Sequence, residues 1–210
     1  MSKKICSIFA AGDFEGSFSP QSESLIIAAD AGYHHLEKLR ISPDVLLGDF
    51  DTIGNIPNCK ETIPFSADKD YTDTELAVME GIKRGCKDFV ICGAVGGKRL
   101  EHTMGNLSLA ASYAQKGYDM TLTDGKTIVK ALHNGSFEFT GKESGFISVF
   151  TISGKAEGVY EENLKYTLCD AVLDGTNPTL CISNEFIPDR KAKISVTNGT
   201  LLIIWQNNEN

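Results

Sequence analysis

The sequence predicts an α/β N-terminal domain with a mostly parallel sheet, followed by an all-β C-terminal domain that is a sandwich or a barrel. Through about residue 125, short continuous apolar runs alternate with segments whose apolar residues recur at helical spacing, which is typical of βαβ units. After about residue 126, short segments of alternating polarity are separated by turn residues, which is typical of antiparallel strands. We therefore predict two domains, residues 1–125 and residues 126–210.

The strands of the first domain are predicted from short apolar or β-branched runs, a pattern that favours strands covered on both faces. They are Ile5–Ala10, Leu25–Ala29, Val45–Leu47, Phe89–Ala94 and Met120–Thr123. The predicted helices are Tyr33–Leu39, Thr74–Arg84 and Thr103–Lys116. Gly85 and Gly117 follow the last two helices, where left-handed caps are expected. His34 and His35 are expected on the solvated face of the first helix.

The second domain is predicted to consist of short strands joined by turns. Its strand-like segments are Thr127–Leu132, Phe137–Phe139, Phe146–Ile152, Thr179–Ile182, Ala192–Val196 and Leu201–Trp205. Asn134-Gly135 and Asn198-Gly199 lie between such segments, and Asn-Gly is a strong signal for a tight hairpin turn. We therefore expect two β-hairpins.

Composition and charge exclude several classes of protein. The chain has 28 acidic and 20 basic residues and a formal charge of -8, which argues against an extended nucleic-acid surface because such a surface needs clustered Lys and Arg. Its six cysteines form no Cys-x-x-Cys pair, which favours reduced, mostly buried thiols and disfavours zinc. The apolar run after Lys3-Lys4 is too short for a signal peptide, and no segment is apolar for long enough to cross a bilayer. These features predict a cytoplasmic protein with no nucleic-acid or membrane partner.

Carboxylates follow two of the predicted strands. Asp49 and Asp51 come just after the strand Val45–Leu47 and stand two residues apart, so that their side chains share one face of an extended chain. Asp30 follows the preceding strand, Leu25–Ala29. Because ligands of open α/β sheets bind beyond the carboxyl ends of the strands, these acids predict a shared metal site.

A further acidic stretch, Asp68–Glu75, leads into the second predicted helix. Thr72 and Glu75 fit a capping box, and Asp73 falls in the first turn. Acids at a helix N-terminus also stabilise the helix by themselves, so this stretch alone does not indicate a ligand. Lys69 either binds a phosphate or offsets the neighbouring acids.

A glycine-rich segment, Gly93–His102, joins a predicted strand to the third predicted helix and carries Lys98 and Arg99. Glycines let a backbone approach a ligand closely, and a helix N-terminus beside an arginine suits an anion such as phosphate. The spacing of a Walker A loop is missing. Together with acids suited to Mg²⁺, the segment predicts a site where a metal ion meets substrate phosphates, as in phosphoryl-type transfer.

A set of ordered motifs resembles the thiamin pyrophosphokinase family. The motifs are Ala29-Asp30-Ala31-Gly32, Gly48-Asp49-Phe50-Asp51-Thr52, Asp68–Ala77, Gly97–Asn106, Asn163–Leu168 and Ile182–Phe186. Each string is weak alone, but their order along nearly the whole chain is specific.

The resemblance implies an α/β catalytic domain that binds ATP and Mg²⁺ over residues 1–125, and a β-sandwich for thiamin binding and dimerisation over residues 126–210. It also implies a homodimer with active sites at the subunit interface. The implied reaction is that of a thiamin diphosphokinase, in which the hydroxyl of thiamin attacks the β-phosphorus of ATP to give thiamin diphosphate and AMP.

The resemblance also implies roles for individual residues. The residues expected to act in catalysis are Asp49, Asp51, Asp73 and Arg99, of which the three aspartates are expected to bind the metal. Those expected to bind ATP are Asp30, Lys69, Thr72, Arg99, His102 and Asn106. Those expected to bind thiamin are Tyr166, Ser183 and Asn184.

The chain departs from the family pattern at three places. Glu101 stands where an aspartate is usual, Ala31-Gly32 stands where two glycines are common, and Tyr166 replaces a tryptophan found in some members. Two other functions stay open from the residues alone. One is a metal-dependent phosphohydrolase with Asp49 as nucleophile, and the other is a non-catalytic nucleotide- or thiamin-binding module.

Overall fold

The structure is a computed structural model that describes residues 4–19, 24–50, 59–66, 70–152 and 154–206. The chain forms two compact units, residues 1–109 with 122–125 and residues 110–121 with 126–210. The predicted boundary at residue 125 between a catalytic and a thiamin-binding domain stays a prediction.

The first unit is built on a parallel sheet. Its strands are β1 (Ile5–Phe9), β2 (Leu25–Ala29), β3 (Val45–Gly48), β4 (Glu61–Pro64) and β5 (Asp88–Cys92). They lie in the order β5-β1-β2-β3-β4, and each neighbouring pair is parallel. The sequence did not predict β4, because an exposed edge strand carries polar residues and a proline instead of an apolar run.

Helices cover both faces of this sheet. They are α1 (Tyr33–Leu39) and α2 (Asp73–Lys83), and a third helix, α3 (Leu100–Gln115), follows β5. Helix α2 approaches the sheet through Gly81, where an added Cβ would lie 3.0 Å from Cys6 Sγ. Leu36 of α1 instead joins the cluster that contains Phe9. Because side chains alternate along β1, Cys6 and Phe9 point to opposite faces. The predicted α/β architecture is therefore confirmed, and double coverage explains the continuous apolar strands.

The second unit is antiparallel. After β6 (Asp119–Thr123), its strands are β7 (Thr127–Glu138), β8 (Phe146–Thr151), β9 (Ala156–Glu162), β10 (Leu168–Leu173), β11 (Asn184–Glu185) and β12 (Lys193–Gln206). Strand β12 pairs with β7 along most of its length, with β9 over its first half and with β8 over its second half. The long strands β7 and β12 thus extend through both layers of the unit, and the layers enclose one apolar core. The predicted sandwich is confirmed.

The two predicted Asn-Gly hairpins are wrong. Both dipeptides lie inside the long strands β7 and β12, opposite each other, where the register shifts between Val196 and Thr200. Asn134 and Gly199 have φ values of 43° and 124°, and the Gly199 N–H donates to Asn134 Oδ1 over 2.9 Å. Residues in this left-handed conformation can close a hairpin. In this protein they form a bulge instead, and at the bulge β12 changes its pairing partner.

A further predicted strand, Thr179–Ile182, is also wrong. The Leu180 N–H donates to the Asn177 carbonyl and the Ile182 N–H to the Thr179 carbonyl, so the segment consists of turns. Strands β9, β10 and β11 were missed, since charged residues and a positive-φ Gly158 interrupt the polarity pattern.

All six cysteines are free, and Cys6, Cys86, Cys92 and Cys181 are buried, as predicted. In the part of the chain that the structure describes, no helix combines the length and the apolar character that a membrane span requires.

Candidate active site

The order of the parallel strands places a crevice beyond the carboxyl end of β1. From β1 the chain proceeds through β2, β3 and β4 on one side, whereas β5 pairs with the other side of β1. The loops that follow β1 and β5 therefore leave the sheet in different directions and open a gap between them. Such a switch in strand order is where open α/β sheets bind ligands.

A cleft of about 430 Å³ lies at this point. The predicted site residues that line it are Asp30, Thr72, Asp73, Arg99, His102 and Asn106. They come from three separate stretches of the chain, which the fold brings together.

The strand ends supply the acidic side of the cleft. Asp30 follows β2 and lines the cleft, with a left-handed φ of 46°. Asp49 follows β3, the neighbouring strand, and is half-buried, but it is not among the residues that line the cleft. Phe50, between the two predicted metal ligands, also has a positive φ of 61°, and such backbone conformations are concentrated at functional sites. Asp51 lies outside the described residues.

The N-terminus of α2 supplies another carboxylate. Thr72 is the N-cap of this helix, and its Oγ1 accepts a hydrogen bond from the Glu75 N–H over 3.2 Å, as the predicted capping box requires. The next residue, Asp73, begins the helix and lines the cleft. Lys69 lies outside the described residues, so its predicted contact stays a prediction.

The glycine-rich loop forms the opposite side. Helix α3 begins at Leu100, three residues before the predicted start, so Arg99 immediately precedes the helix and its carbonyl accepts from the His102 N–H. The N-termini of α2 and α3 thus both border the cleft, and the dipole of each helix favours a bound anion there.

Arg99 pairs with the residue that departs from the family pattern. Its Nε donates to Glu101 Oε1 over 2.8 Å, and this hydrogen bond lowers the pKa of Glu101. The two side chains are 69% and 67% exposed. An ion pair so open to water contributes little, which leaves the guanidinium able to turn toward a phosphate.

Helix α3 also fixes the shape of the loop. Asn106 Nδ2 donates to the Ala94 carbonyl over 2.8 Å, and Thr103 Oγ1 donates to the Gly96 carbonyl over 2.9 Å. The predicted ATP-binding residue Asn106 therefore has a structural contact of its own. The sequence analysis missed Thr103, although its position one turn into the helix could have indicated it.

The loop after β1 is the main part of the cleft that sequence reasoning missed. Gly12 and Asp13 line the cleft, and His35 Nε2 lies 2.7 Å from the Gly12 carbonyl oxygen. His35 is half-buried and packs edge-to-face on Phe14, so the expectation of a solvated histidine is wrong. The signal was present, because Gly12-Asp13 stands one residue after a predicted strand and resembles Gly48-Asp49, which directly follows another.

The donor set fits a hard cation. Within the described residues, no three His, Cys, Asp or Glu side chains lie close enough to hold a metal by themselves. Mg²⁺ does not require such a cage, since it is usually bound through one or two carboxylates, water and substrate phosphates. Asp30 and Asp73 offer oxygen donors in the cleft where phosphates would bind, and the assignment of Asp49, Asp51 and Asp73 as ligands stays a prediction.

The predicted thiamin contacts lie in the second unit. Tyr166 is 60% exposed, with Lys165 Nζ over its ring at 5.4 Å from the ring centroid. Ser183 is exposed, has a left-handed φ of 60° and donates its N–H to Ser148 Oγ. Asn184 is buried, and its amide bonds to other protein groups.

Comparisons with known proteins agree in both parts of the chain. The sequence model described as "Thiamin pyrophosphokinase, catalytic domain" matches residues 19–122, and the one described as "Thiamin pyrophosphokinase, vitamin B1 binding domain" matches residues 137–201. Thiamine pyrophosphokinase of Bacillus subtilis strain 168 is 28% identical over 190 residues, covering 86% of each chain.

Solved structures show the same fold. The crystal structure of thiamine pyrophosphokinase from Bacillus subtilis superposes with a TM-score of 0.85 at 24% identity, covering 98% of this chain and 100% of the other. Thiamin pyrophosphokinase from Candida albicans gives a TM-score of 0.73 at 12% identity, covering 98% and 90%. Two family matches in the expected order, with the fold shared throughout, are decisive. The chain therefore belongs to the thiamin pyrophosphokinase family of enzymes.

Proposed function

We propose that this enzyme transfers a diphosphoryl group from ATP to the hydroxyl of thiamin, giving thiamin diphosphate and AMP, with Mg²⁺ as cofactor. The observation that carries the proposal is the cleft at the switch in strand order. There the carboxylates Asp30 and Asp73 line the same cleft as a glycine loop and the N-termini of two helices. Carboxylates by themselves would suit only a metal ion, and the glycine loop with its cations and N–H groups would by itself suit only an anion. This cleft contains both.

The residues of the cleft act mainly by binding and alignment. The N-terminus of α3 and the Arg99 guanidinium bind the phosphates and offset the charge that develops on the transferred group. Asp73 in the cleft, together with Asp49 and Asp51 after β3, would hold Mg²⁺. When bound, this ion neutralises phosphate charge and orients the chain of phosphates.

Proton transfer completes the reaction. The thiamin oxygen bonds to the β-phosphorus as the bond from that phosphorus to the oxygen of AMP breaks, and AMP leaves with the electron pair. Asp73, at the start of α2, is the proposed acceptor of the hydroxyl proton.

The product of the reaction tests the proposal. The enzyme is incubated with ATP, Mg²⁺ and a panel of alcohols that includes thiamin, and AMP is resolved from ADP. We expect AMP and thiamin diphosphate in equal amounts, and only when thiamin is present. ADP would identify an ordinary kinase. Phosphate release without any acceptor would favour the hydrolase reading, in which Asp49 is a nucleophile.

A matched pair of variants tests the cleft. Asp73→Asn is expected to lower kcat by about a hundredfold or more, because the group acts on the transition state. Glu75→Gln changes another acid of the same helical turn that does not line the cleft, and should keep wild-type kcat. Equal effects of the two variants would remove Asp73 from the mechanism.

We further propose a cytoplasmic homodimer. Phe146 and Ile182 are 60% and 40% exposed in the second unit, and Phe146 pairs with Glu185 where β8 meets β11. Exposed apolar side chains of this size favour a protein interface. Light scattering after size exclusion should give twice the chain mass of 22.8 kDa, and Phe146→Lys should shift the protein toward the monomer. A wild-type mass of one chain at micromolar concentration would contradict the dimer.

A further inference from the structure

A buried polar network lies beneath the predicted thiamin contacts of the second unit. Glu161 of β9 is 2% exposed and Asn184 is 5% exposed. Asn184 Nδ2 donates to Glu161 Oε2 over 2.6 Å and to the Tyr166 carbonyl over 2.7 Å. Asn184 Oδ1 accepts from the N–H groups of Tyr166, at 3.0 Å, and of Glu185, at 2.9 Å.

These four hydrogen bonds use the full capacity of the Asn184 amide. A primary amide has two N–H donors and one oxygen with two acceptor positions. Both donors and both acceptor positions of Asn184 are occupied by protein groups. A ligand could bond to this amide only by displacing one of them, so the described geometry favours an indirect role.

The position of Glu161 needs an explanation of its own. A buried carboxyl is costly unless it is bonded, and within the described part of the chain no cationic side chain pairs with it. Burial raises its pKa, which favours the neutral form. The carboxyl accepts a hydrogen bond from the Asn184 amide and interacts with the Cys181 thiol, and through the amide it is linked to the backbone of Tyr166.

The link ends at an exposed aromatic ring. Tyr166 projects into solvent although its N–H and carbonyl are both held by Asn184. Lys165, which precedes it, pairs with Glu185 over 2.6 Å and places its ammonium over the ring. The face of the tyrosine ring that Lys165 does not cover is a preorganised surface for a cationic ring, since a residue with a fixed backbone loses little conformational freedom on binding.

We propose that Glu161 is a positioning residue for thiamin: through Asn184 it fixes the backbone of Tyr166 and so holds the tyrosine ring in place for the substrate. This role rests on the proposed function, because it presumes that thiamin binds at Tyr166. Asn184 is accordingly assigned to the same indirect role.

Steady-state kinetics of the full-length enzyme test the proposal. Glu161→Leu removes the acceptor and keeps an apolar side chain of similar size. It is expected to raise KM for thiamin roughly tenfold while KM for ATP stays at the wild-type value, as loss of a hydrogen bond to a buried group predicts. Glu161→Gln keeps a side-chain oxygen that accepts the hydrogen bond from Asn184, so KM for thiamin should equal the wild-type value. Asn184→Ala breaks the same link from the other side and takes the place of Glu161→Leu if that variant does not fold.

The decisive measurement is a double-mutant cycle with Tyr166. In a Tyr166→Ala background, Glu161→Leu should raise KM for thiamin no further, because its effect passes through the missing ring. A merely structural role would give additive effects or would raise both KM values together, and either result overturns the proposal. An unchanged KM for thiamin in folded Glu161→Leu also overturns it. If the wild-type enzyme made no thiamin diphosphate, the proposed function itself would fail, a result distinct from an active wild type with insensitive variants.

Discussion

Arg99 shows what a single exposed residue contributes to this cleft. It immediately precedes α3, lines the cleft and is held by the Glu101 carboxylate. Because both partners are open to water, phosphate can replace Glu101 at small cost, and a guanidinium binds phosphate through two parallel N–H groups. Glu101 therefore retains Arg99 near the cleft without blocking it, although it is longer by one methylene than the usual aspartate.

Arg99→Ala should lower kcat/KM for ATP by about a hundredfold or more, because a charge that stabilises the transferred group is removed. Glu101→Gln should change the same constant only a few-fold, about what loss of an exposed ion pair gives. Arg190→Ala, at an exposed arginine of the second unit, is the control and should match wild type. A larger effect of Glu101→Gln than of Arg99→Ala would contradict this reading.

Glu161 predicts a pH dependence of stability. Burial raises the pKa of its carboxyl in the folded state above the ordinary value of 4.5. The folded protein therefore binds this proton more tightly than the unfolded chain does. Its contribution to stability is fully present below pH 4.5 and is lost as the pH rises through the folded pKa.

Glu161→Gln does not titrate, so its free energy of unfolding should fall less than that of wild type as the pH rises from 4.5. Glu157→Gln is the contrast, because the Lys155 ammonium lowers the pKa of Glu157 and its contribution is lost as the pH falls. Urea unfolding from about pH 3 to 8 should show Glu161→Gln departing from wild type above pH 4.5 and Glu157→Gln departing from it below pH 4.5. Parallel curves would show that Glu161 is not perturbed by burial.

At the scale of the elements, the cleft depends on the close approach of two loops. An added Cβ at Gly93 would lie 2.6 Å from the Ala10 carbonyl oxygen and 2.9 Å from that of Gly12. Gly93 also has a φ of 70°. The loop after β5 therefore packs its backbone directly on the loop after β1, which no larger residue would allow.

Gly93→Ala should destabilise the protein by about 1 kcal/mol for the left-handed conformation and by about 1–3 kcal/mol more for the steric overlap. Gly85→Ala is a matched control, since Gly85 has a φ of 85° and nothing within 4 Å of an added Cβ. It should show only the first cost. Thermal and urea unfolding measure both. Equal destabilisation would mean that the loops can separate.

At the scale of the whole molecule, the two compact units do not divide the chain at a single point. Residues 110–121, which include the second half of α3, belong to the second unit although residues on both sides belong to the first. Within the second unit, Gln115 bonds to Thr200, and Lys130 bonds to Asp119 and Thr121. A cut after residue 125 therefore separates these residues from their partners.

A fragment of residues 1–125 should consequently unfold without cooperativity or aggregate, even though its α/β sheet is intact in sequence. Circular dichroism during heating of the fragment and of the full chain measures this. A cooperative transition of the fragment near that of the full chain would show that the first domain folds alone at the predicted boundary.

The sequence by itself determined four of the five parallel strands, the helices and the acids that follow two of the strands. Continuous apolar runs such as Leu25–Ala29 require burial on both faces, and Asp30 and Asp49 directly follow such runs. The capping residue Thr72 was also predictable, because a helix N-terminus is a local feature.

Only the tertiary structure decided the features that depend on pairing between segments far apart in the chain. The Asn-Gly dipeptides at 134 and 198 have the local sequence of a hairpin turn. Because the two strands pair with each other at this point, the dipeptides form a bulge instead. The place of Gly12 and Asp13 in the cleft follows from the pairing of β1 with β5, and the indirect role inferred for Asn184 follows from its contact with Glu161. Conformational preference acts within a few residues, whereas register and burial are set by segments far apart in the chain.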